Sequence, residues 1–482
     1  MTQHSESALY IGGEWHQGSG TVANINPSNI QESLGNYAQA SKTHVQQAIA
    51  CAREAQPKWE KTPLEQKQKV LQTIGDELIA RCDELGRLLS LEEGKPFAEG
   101  RGEVYRAGQF FQYYAAEVLR QMGETAESVR PGVQVEVTRE AVGVVAIISP
   151  WNFPTATASW KIAPALAFGN SVIWKPANLT PASAVALADI IHRSGLPAGA
   201  FNLVLGSGSN VGDSLIHSPN IDAVSFTGSV DVGRKVAAAT APNFVRCQLE
   251  MGSKNALVIA DDADLQVAVD ATIAGSFSGA GQKCTASSRL IVMDGIHDAY
   301  VDALTQRIAQ LKVGHALEEG VFMGPVVDEK QLESNLRWVT RAKELGGELV
   351  AGGERISLEH DGYYMAPTLF INTENSWDVN QEELFAPMAC VQRVGSLEEA
   401  IAQANDTRFG LTAGIVTTSL RSSALFKQQA QTGCVMVNLP TAGTDYHVPF
   451  GGRKESSFGP REQGQYARDF YTVVKTAYQR PY

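Results

Sequence analysis

The chain has 482 residues, 44% hydrophobic and 19% charged, an ordinary globular balance with length for about three domains. A net charge of −12 and a pI near 5.3 disfavour nucleic acid and anionic membrane surfaces as partners, so an acidic ligand needs a locally basic pocket. Six scattered cysteines make no disulfide or zinc framework, and neither a charged-then-apolar leader nor a membrane-length apolar run occurs, which predicts a cytoplasmic protein with reduced thiols and no metal.

Residues 8–40 alternate short apolar runs with turn residues (ALYIGGEWHQGSG, then NINPSN), predicting hairpins at one edge. From Thr43 the period becomes helical. Thr43 and Gln46 have capping-box spacing, and Val45, Ala48, Ile49, Ala52 and Ala55 form one apolar stripe. Further scaffold helices are expected from Pro63 to Ile79, Cys82 to Glu93 and Arg101 to Leu119. Residues 124–141 carry a Pro-Gly turn and strict alternation, a hairpin that can lie outside the main sheet.

From Val142, apolar strands (VGVVAII, NSVIWKP, FNLVLG, IDAVSFTG) alternate with helix-like segments, the pattern of βαβ units in a parallel sheet. Ligands bind such sheets at the carboxyl ends of the strands, so the residues after each strand are informative. After the first comes Ser149-Pro-Trp-Asn-Phe-Pro154, a loop stiffened by two prolines, with the Asn152 amide placed to donate into a partly desolvated site; an Asx-turn is the bland alternative. After the second comes Trp174-Lys-Pro-Ala-Asn178, which puts the Lys175 ammonium where ribose or phosphate can lie, a surface lysine being the alternative. After the third come Gly208 and Gly212, and after the fourth Phe226-Thr-Gly228-Ser229, with Gly233 inside the next helix. Glycines at a strand-to-helix turn let the backbone approach a pyrophosphate; neither segment is a full GxGxxG, but two beside the lysine loop point to a dinucleotide.

Glu250 ends the next alternating run, and Gly252 breaks it. Cys284 stands apart from the other cysteines. Cys51 and Cys82 sit in helix-like runs and Cys247, Cys390 and Cys434 in strand-like ones, whereas Cys284 follows Gly279-Ala-Gly-Gln-Lys283 at a turn. A thiol attacks as thiolate, which nearby cations or oriented N–H groups favour.

PWNFP, FTGSxxxG, LEMG and GQKC in this order resemble the aldehyde dehydrogenase superfamily over essentially the whole chain, with Glu382-Glu383-Leu-Phe385-Ala-Pro387 and Pro449-Phe450-Gly-Gly452 in support. Two positions depart: Ala386, where the family usually has Gly, and Met251-Gly-Ser253, commonly Leu-Gly-Gly. The resemblance implies an α/β fold with a Rossmann-type cofactor domain (1–123 and 142–249), an α/β catalytic domain (250–440) and a small β oligomerisation arm (124–141 and 465–482), hence a homodimer or homotetramer. It implies oxidation of a small aldehyde with NAD or NADP. Cys284 would be the nucleophile, Asn152 with the Cys284 N–H the oxyanion donors, and Glu250 the base that activates water. Pro150, Trp151, Lys175, Asn178, Gly208, Gly212, Phe226, Gly228, Ser229, Gly233, Glu383 and Phe385 would bind the cofactor.

The run from Val435 to Gly464, with TASSR after Cys284 and WKIAPALAFGN after PWNFP, is most similar to the 2-oxoglutarate semialdehyde (2,5-dioxopentanoate) dehydrogenases, with succinate or glutarate semialdehyde enzymes behind. Many semialdehyde enzymes of the superfamily carry arginine where this chain has Trp160, so the substrate carboxylate needs another anchor. Phe153, Trp160, Thr444, Phe450 and Arg453 are the expected substrate-binding residues. A CoA-acylating relative is disfavoured by Glu250, and a non-catalytic protein on the same fold by the intact Cys–Glu–Asn set.

Overall fold

The computed structural model describes residues 8–481. One sheet has eight strands in the order Glu14–His16, Leu9–Ile11, Phe201–Leu203, Ser171–Lys175, Val144–Ile148, Ala223–Thr227, Arg246–Glu250, Ser457–Phe458. The five from Phe201–Leu203 to Arg246–Glu250 are parallel and mostly buried, the continuous apolar texture expected where helices cover both faces. The chain builds from Val144–Ile148 outward to Phe201–Leu203, then crosses back to lay Ala223–Thr227 on the other side of its starting strand. Open α/β sheets bind ligands at such a reversal of strand order.

Arg246–Glu250 leads almost at once into Asn255–Ile259, the first strand of a second sheet. That sheet has seven strands in the order Glu348–Ala351, Thr368–Ile371, Met388–Val394, Ser287–Met293, Asn255–Ile259, Thr412–Val416, Cys434–Val437, parallel except for the outermost Glu348–Ala351. The alternating segment at 124–141 forms Glu124–Glu127 and Gln134–Ala141, which join Thr472–Gln479 in a separate antiparallel sheet. Gly20–Ile25 and Ser33–Gln39 make the remaining ribbon.

Helices Leu64–Ala80 and Cys82–Glu93 cross Phe97–Val118 at glycines. A Cβ on Gly75 would come within 2.8 Å of the Gly108 carbonyl, and one on Gly100 within 2.7 Å of the Gly86 carbonyl.

Two expected helix starts are corrected. The capping box of Lys42–Glu60 is Ser41 with His44, not Thr43 with Gln46: the Ser41 hydroxyl accepts from His44 N at 3.3 Å and the His44 ring from Ser41 N at 3.1 Å. Ser41 is extended (ψ 171°), as a cap must be, and so fixes the start. The helix expected from Arg101 begins at Phe97, because Pro96 holds a φ of −54° that leads into helical backbone. Among the described residues no helix is long and apolar enough to cross a membrane, and no group of three or more His, Cys, Asp or Glu is placed to hold a metal ion.

Candidate active site

A cavity of about 210 Å3 opens at the reversal of strand order. Pro150, Trp151, Asn152 and Phe153 line it after Val144–Ile148, and Thr227, Gly228 and Ser229 after Ala223–Thr227 begins to end. Met251, Gly252, Cys284, Glu383 and Phe385 line it from the other side, each just before a strand of the second sheet. Carboxyl ends of one sheet therefore meet amino ends of the other across one cavity. A larger cleft of about 550 Å3, between helix Lys42–Glu60 and residues 214–220, holds none of the expected catalytic, cofactor or substrate residues.

The cysteine loop is strained into place. After helix Leu265–Ser276, Gly279, Ala280 and Gly281 take φ of 58°, 53° and 68°, the left-handed region that costs a non-glycine residue energy. A Cβ on Gly281 would meet the Ala386 carbonyl at 2.1 Å. Beyond the turn, Asn255 Nδ2 donates to the Cys284 carbonyl at 2.8 Å. Burial, reinforced by the Glu383 and Glu250 carboxylates, holds the Cys284 thiol well above its usual range. Lys283 gives it no direct relief. Its ammonium donates to Ala274 O (3.1 Å) and Ser278 Oγ (2.5 Å), and burial lowers its pKa to about 8.

Asn152 reaches the same loop, its Nδ2 donating to the Gln282 carbonyl at 2.9 Å. Its own main-chain carbonyl accepts from Lys95 Nζ at 2.6 Å.

Glu250 is 3% exposed and does not line the cavity. Ser457 Oγ donates to its Oε2 at 2.5 Å, and Oε1 lies so close to Gly451 that a Cβ there would stand 2.8 Å away. Burial, then the neighbouring Glu462 carboxylate, raises its pKa well above the usual carboxylate range; Ser457, Lys161 and Arg461 oppose the rise. Glu462 is itself paired with the buried ammonium of Lys161, which also donates to Ser225 Oγ at 2.9 Å.

The residues expected to hold a dinucleotide fit one. Ser229 stands in the N-cap position of helix Val230–Thr240 without capping it, leaving first-turn N–H groups for an anion. Gly228 packs over the Phe226 ring, where a Cβ would stand 2.5 Å from Cζ, and a Cβ on Gly233 would strike Met251 Sδ at 2.3 Å. Asn178 Oδ1 and Thr227 Oγ1 are buried without a hydrogen-bond partner. Lys175 lies at its strand end beside Gly212, lowered to about 8 by burial, and Gly208–Gly212 forms a π-helical turn with open space at Gly208. Glu383 accepts from Ser253 N at 3.0 Å and is raised to about 7 by burial. Phe385, at φ 57°, sets its ring edge-on to Trp151 at 5.4 Å.

Of the expected substrate residues, Phe153 and Trp160 line the cavity, and Phe450 stacks on Trp160 at 5.7 Å. Thr444 and Arg453 do not line it. Arg453 is exposed, its N–H held by the Gly410 carbonyl at 2.8 Å. Thr157, Thr227, Met251, Gly252 and Gln331 also line the cavity without having been expected, being short or neutral side chains with no chemical signature.

The profile of the aldehyde dehydrogenase family matches residues 15–477. The chain belongs to that family. An aldehyde dehydrogenase of this kind is an NAD(P)-dependent oxidoreductase, as its sequence led one to expect. The chain is 38% identical to the alpha-ketoglutaric semialdehyde dehydrogenase of Bacillus subtilis, over 100% of this chain and 99% of that one. It is 36% identical to the 2,5-dioxopentanoate dehydrogenase of Saccharolobus solfataricus, over 97% and 98%. Betaine aldehyde dehydrogenase from Staphylococcus aureus, solved in complex with NAD+, superposes with a TM-score of 0.96 at 32% identity, covering 99% of this chain and 96% of that one.

Proposed function

We propose that this aldehyde dehydrogenase oxidises a small semialdehyde bearing a distal carboxylate, 2-oxoglutarate semialdehyde (2,5-dioxopentanoate), to 2-oxoglutarate. The observation that carries the chemistry is the meeting of Cys284 and Asn152 across one cavity, with Glu250 buried behind it. The names of two relatives alike over their whole length support the substrate.

In the mechanism, the Cys284 thiol gives up its proton to water, its sulfur adds as thiolate to the carbonyl carbon, and the carbonyl oxygen takes the negative charge as a thiohemiacetal oxyanion. The Asn152 amide and the Cys284 N–H donate to that oxygen, with the amide exchanging its bond to the Gln282 carbonyl for one to substrate. NAD(P), held by the Ser229 turn, Lys175, Asn178 and Glu383, would supply the two-electron acceptor that takes hydride from that carbon. A thioester on Cys284 remains. Glu250 then takes a proton from water as the water oxygen attacks the acyl carbon, and the C–S bond breaks to release the acid. To reach that water, its side chain must rotate away from Ser457 and Gly451.

The buried Trp160 Nε1, which has no partner, is a donor for the substrate's polar end. Arg453, exposed and outside the cavity, is set aside for that part. We also assign the eight-stranded sheet to the cofactor, the seven-stranded sheet to catalysis, and the three-stranded sheet to subunit contacts in a dimer or tetramer.

A charge-assisted hydrogen bond to the distal carboxylate contributes roughly 1.5–3 kcal/mol. Acid semialdehydes of four to five carbons should therefore exceed hexanal by about tenfold or more in kcat/KM, with the 2-oxo acid semialdehyde first in the series. Hexanal at parity would overturn the carboxylate pocket. Cys284→Ala should abolish NAD(P)H formation while leaving cofactor affinity intact. Glu250→Gln should slow turnover ~10²–10⁴-fold and leave a burst of NAD(P)H near one per active site, with acyl enzyme visible by intact mass. A lost burst with normal cofactor affinity would move Glu250 to thiol activation.

A further inference from the structure

Beneath the Asn152 loop lies a buried ionic cluster that the mechanism above does not use. Lys95 is 4% exposed and Glu103 5%. The Lys95 ammonium donates to Glu103 Oε2 at 2.7 Å and to the Asn152 carbonyl at 2.6 Å, and stands 4.1 Å from the centre of the Phe153 ring. The other oxygen of Glu103 accepts from Thr155 N at 2.9 Å and Ala156 N at 3.1 Å, where helix Ala156–Ala167 begins. Glu93 completes the cluster 3.7 Å from the ammonium. One ion pair thus grips both flanks of the loop that carries Asn152.

We infer that Lys95, braced by Glu103, is a positioning residue for the oxyanion donor Asn152. A buried ion pair is a poor source of stability, since apolar side chains of the same volume often serve as well or better. What a charge-assisted hydrogen bond adds is direction. Here it fixes the Asn152 peptide from below, while the Asn152 amide is fixed from above at the Gln282 carbonyl, two residues from the nucleophile. Gln282 is anchored in turn, its Oε1 accepting from Val327 N at 3.0 Å. The donor and the nucleophile sit on different sheets, and this line of contacts sets their separation. An amide displaced by half an ångström or more no longer meets an oxyanion at hydrogen-bond length.

The inference rests on Asn152 being the oxyanion donor, and a double-mutant cycle separates the two ideas. The variants are Asn152→Ala, Lys95→Met and the pair, read by rapid-mixing NAD(P)H formation and by steady-state kcat and KM. Lys95→Met is expected to lower the burst rate and kcat about tenfold or more, to change KM and cofactor affinity less than about threefold, and to cost less than twofold in the Asn152→Ala background. Equal losses in both backgrounds would show that Lys95 acts independently of Asn152, and full activity of Lys95→Met would also overturn the inference. A fully active Asn152→Ala would instead remove the oxyanion reading on which it rests. Should Lys95→Met fail to fold, Glu103→Gln takes its place in the same cycle. It keeps the side-chain shape but unbraces the ammonium, and the same non-additivity is expected.

Discussion

At residue 178 we propose that a single side chain bears on which cofactor fits. Asn178 carries an unpartnered buried oxygen close to the Lys175 strand end, and it has no charge to repel a 2′-phosphate. A carboxylate there would meet that phosphate at a partly buried site, a clash of about 1–3 kcal/mol at an effective dielectric near 20. Asn178→Glu should therefore lower kcat/KM for NADP about tenfold or more while NAD suffers little; equal losses would show that residue 178 does not sense the phosphate. Ser457 offers a second test through pH. Its hydroxyl stabilises the charged form of Glu250, whose pKa burial has already raised. In the mechanism proposed above deacylation requires the ionised carboxylate, so kcat should fall as pH drops through that raised value. Ser457→Ala removes a bond to the charged form, raises the pKa further and should shift the acid limb of kcat to higher pH. A limb that stays in place would separate Ser457 from the base. As candidates, Cys284, Glu250 and Asn152 were legible in the sequence because each stands where a strand or turn breaks. That Glu250 turns toward Ser457 and Gly451 was not, since those residues arrive from a loop two hundred positions later. Lys95 and Glu103 carried one overlooked sign: Glu92 and Glu93 crowd a helix C-terminus, where the dipole disfavours carboxylates, which implies a tertiary use.

At the scale of elements, the glycine crossings of Phe97–Val118 with the two preceding helices make a sharp stability prediction. Valine at 108 would drive branched methyls toward the Gly75 carbonyl and the Ile79 side chain, both already within 2.7 Å of a Cβ. Gly108→Val should cost roughly 1–3 kcal/mol, read as a lower urea midpoint, yet leave cofactor affinity of the folded enzyme unchanged. Gly281→Ala differs in kind. It combines a left-handed φ with a main-chain clash at Ala386, in the turn that leads to Cys284, so kcat should collapse even in protein that remains folded by circular dichroism. The strands of the first sheet were readable as continuous apolar runs, and the helix stripes by their period. Less readable was the orientation of the second sheet. Sequence reading looks for function after strands, whereas Cys284 and Glu383 stand before theirs, and nothing local reveals which end of a strand faces a cavity. The two misjudged helix starts have a shared cause: the residues that decided them, Ser41 and Pro96, lie just ahead of the periodic stretch.

For the whole molecule, the three-stranded sheet is the part least complete by itself. Val474 and Tyr478 are 57% and 61% exposed on its outer strand, which has a partner on one side only. If this sheet makes the subunit contact proposed above, removing residues 472–482 should yield a smaller species in sedimentation velocity; an unchanged sedimentation coefficient would place the contact elsewhere. The register of that sheet also has a consequence for biosynthesis. Thr472 pairs with Ala141 and Gln479 with Gln134, so a strand made early in translation finds one of its two neighbours only in residues made after the whole second sheet. Until then one edge of Gln134–Ala141 is bare while the ribosome adds the second sheet, and a bare edge invites strands from other nascent chains. Alternation of charge along that strand, with Glu136, Arg139 and Glu140 among its residues, is the kind of sequence that keeps a waiting edge from pairing with the wrong chain.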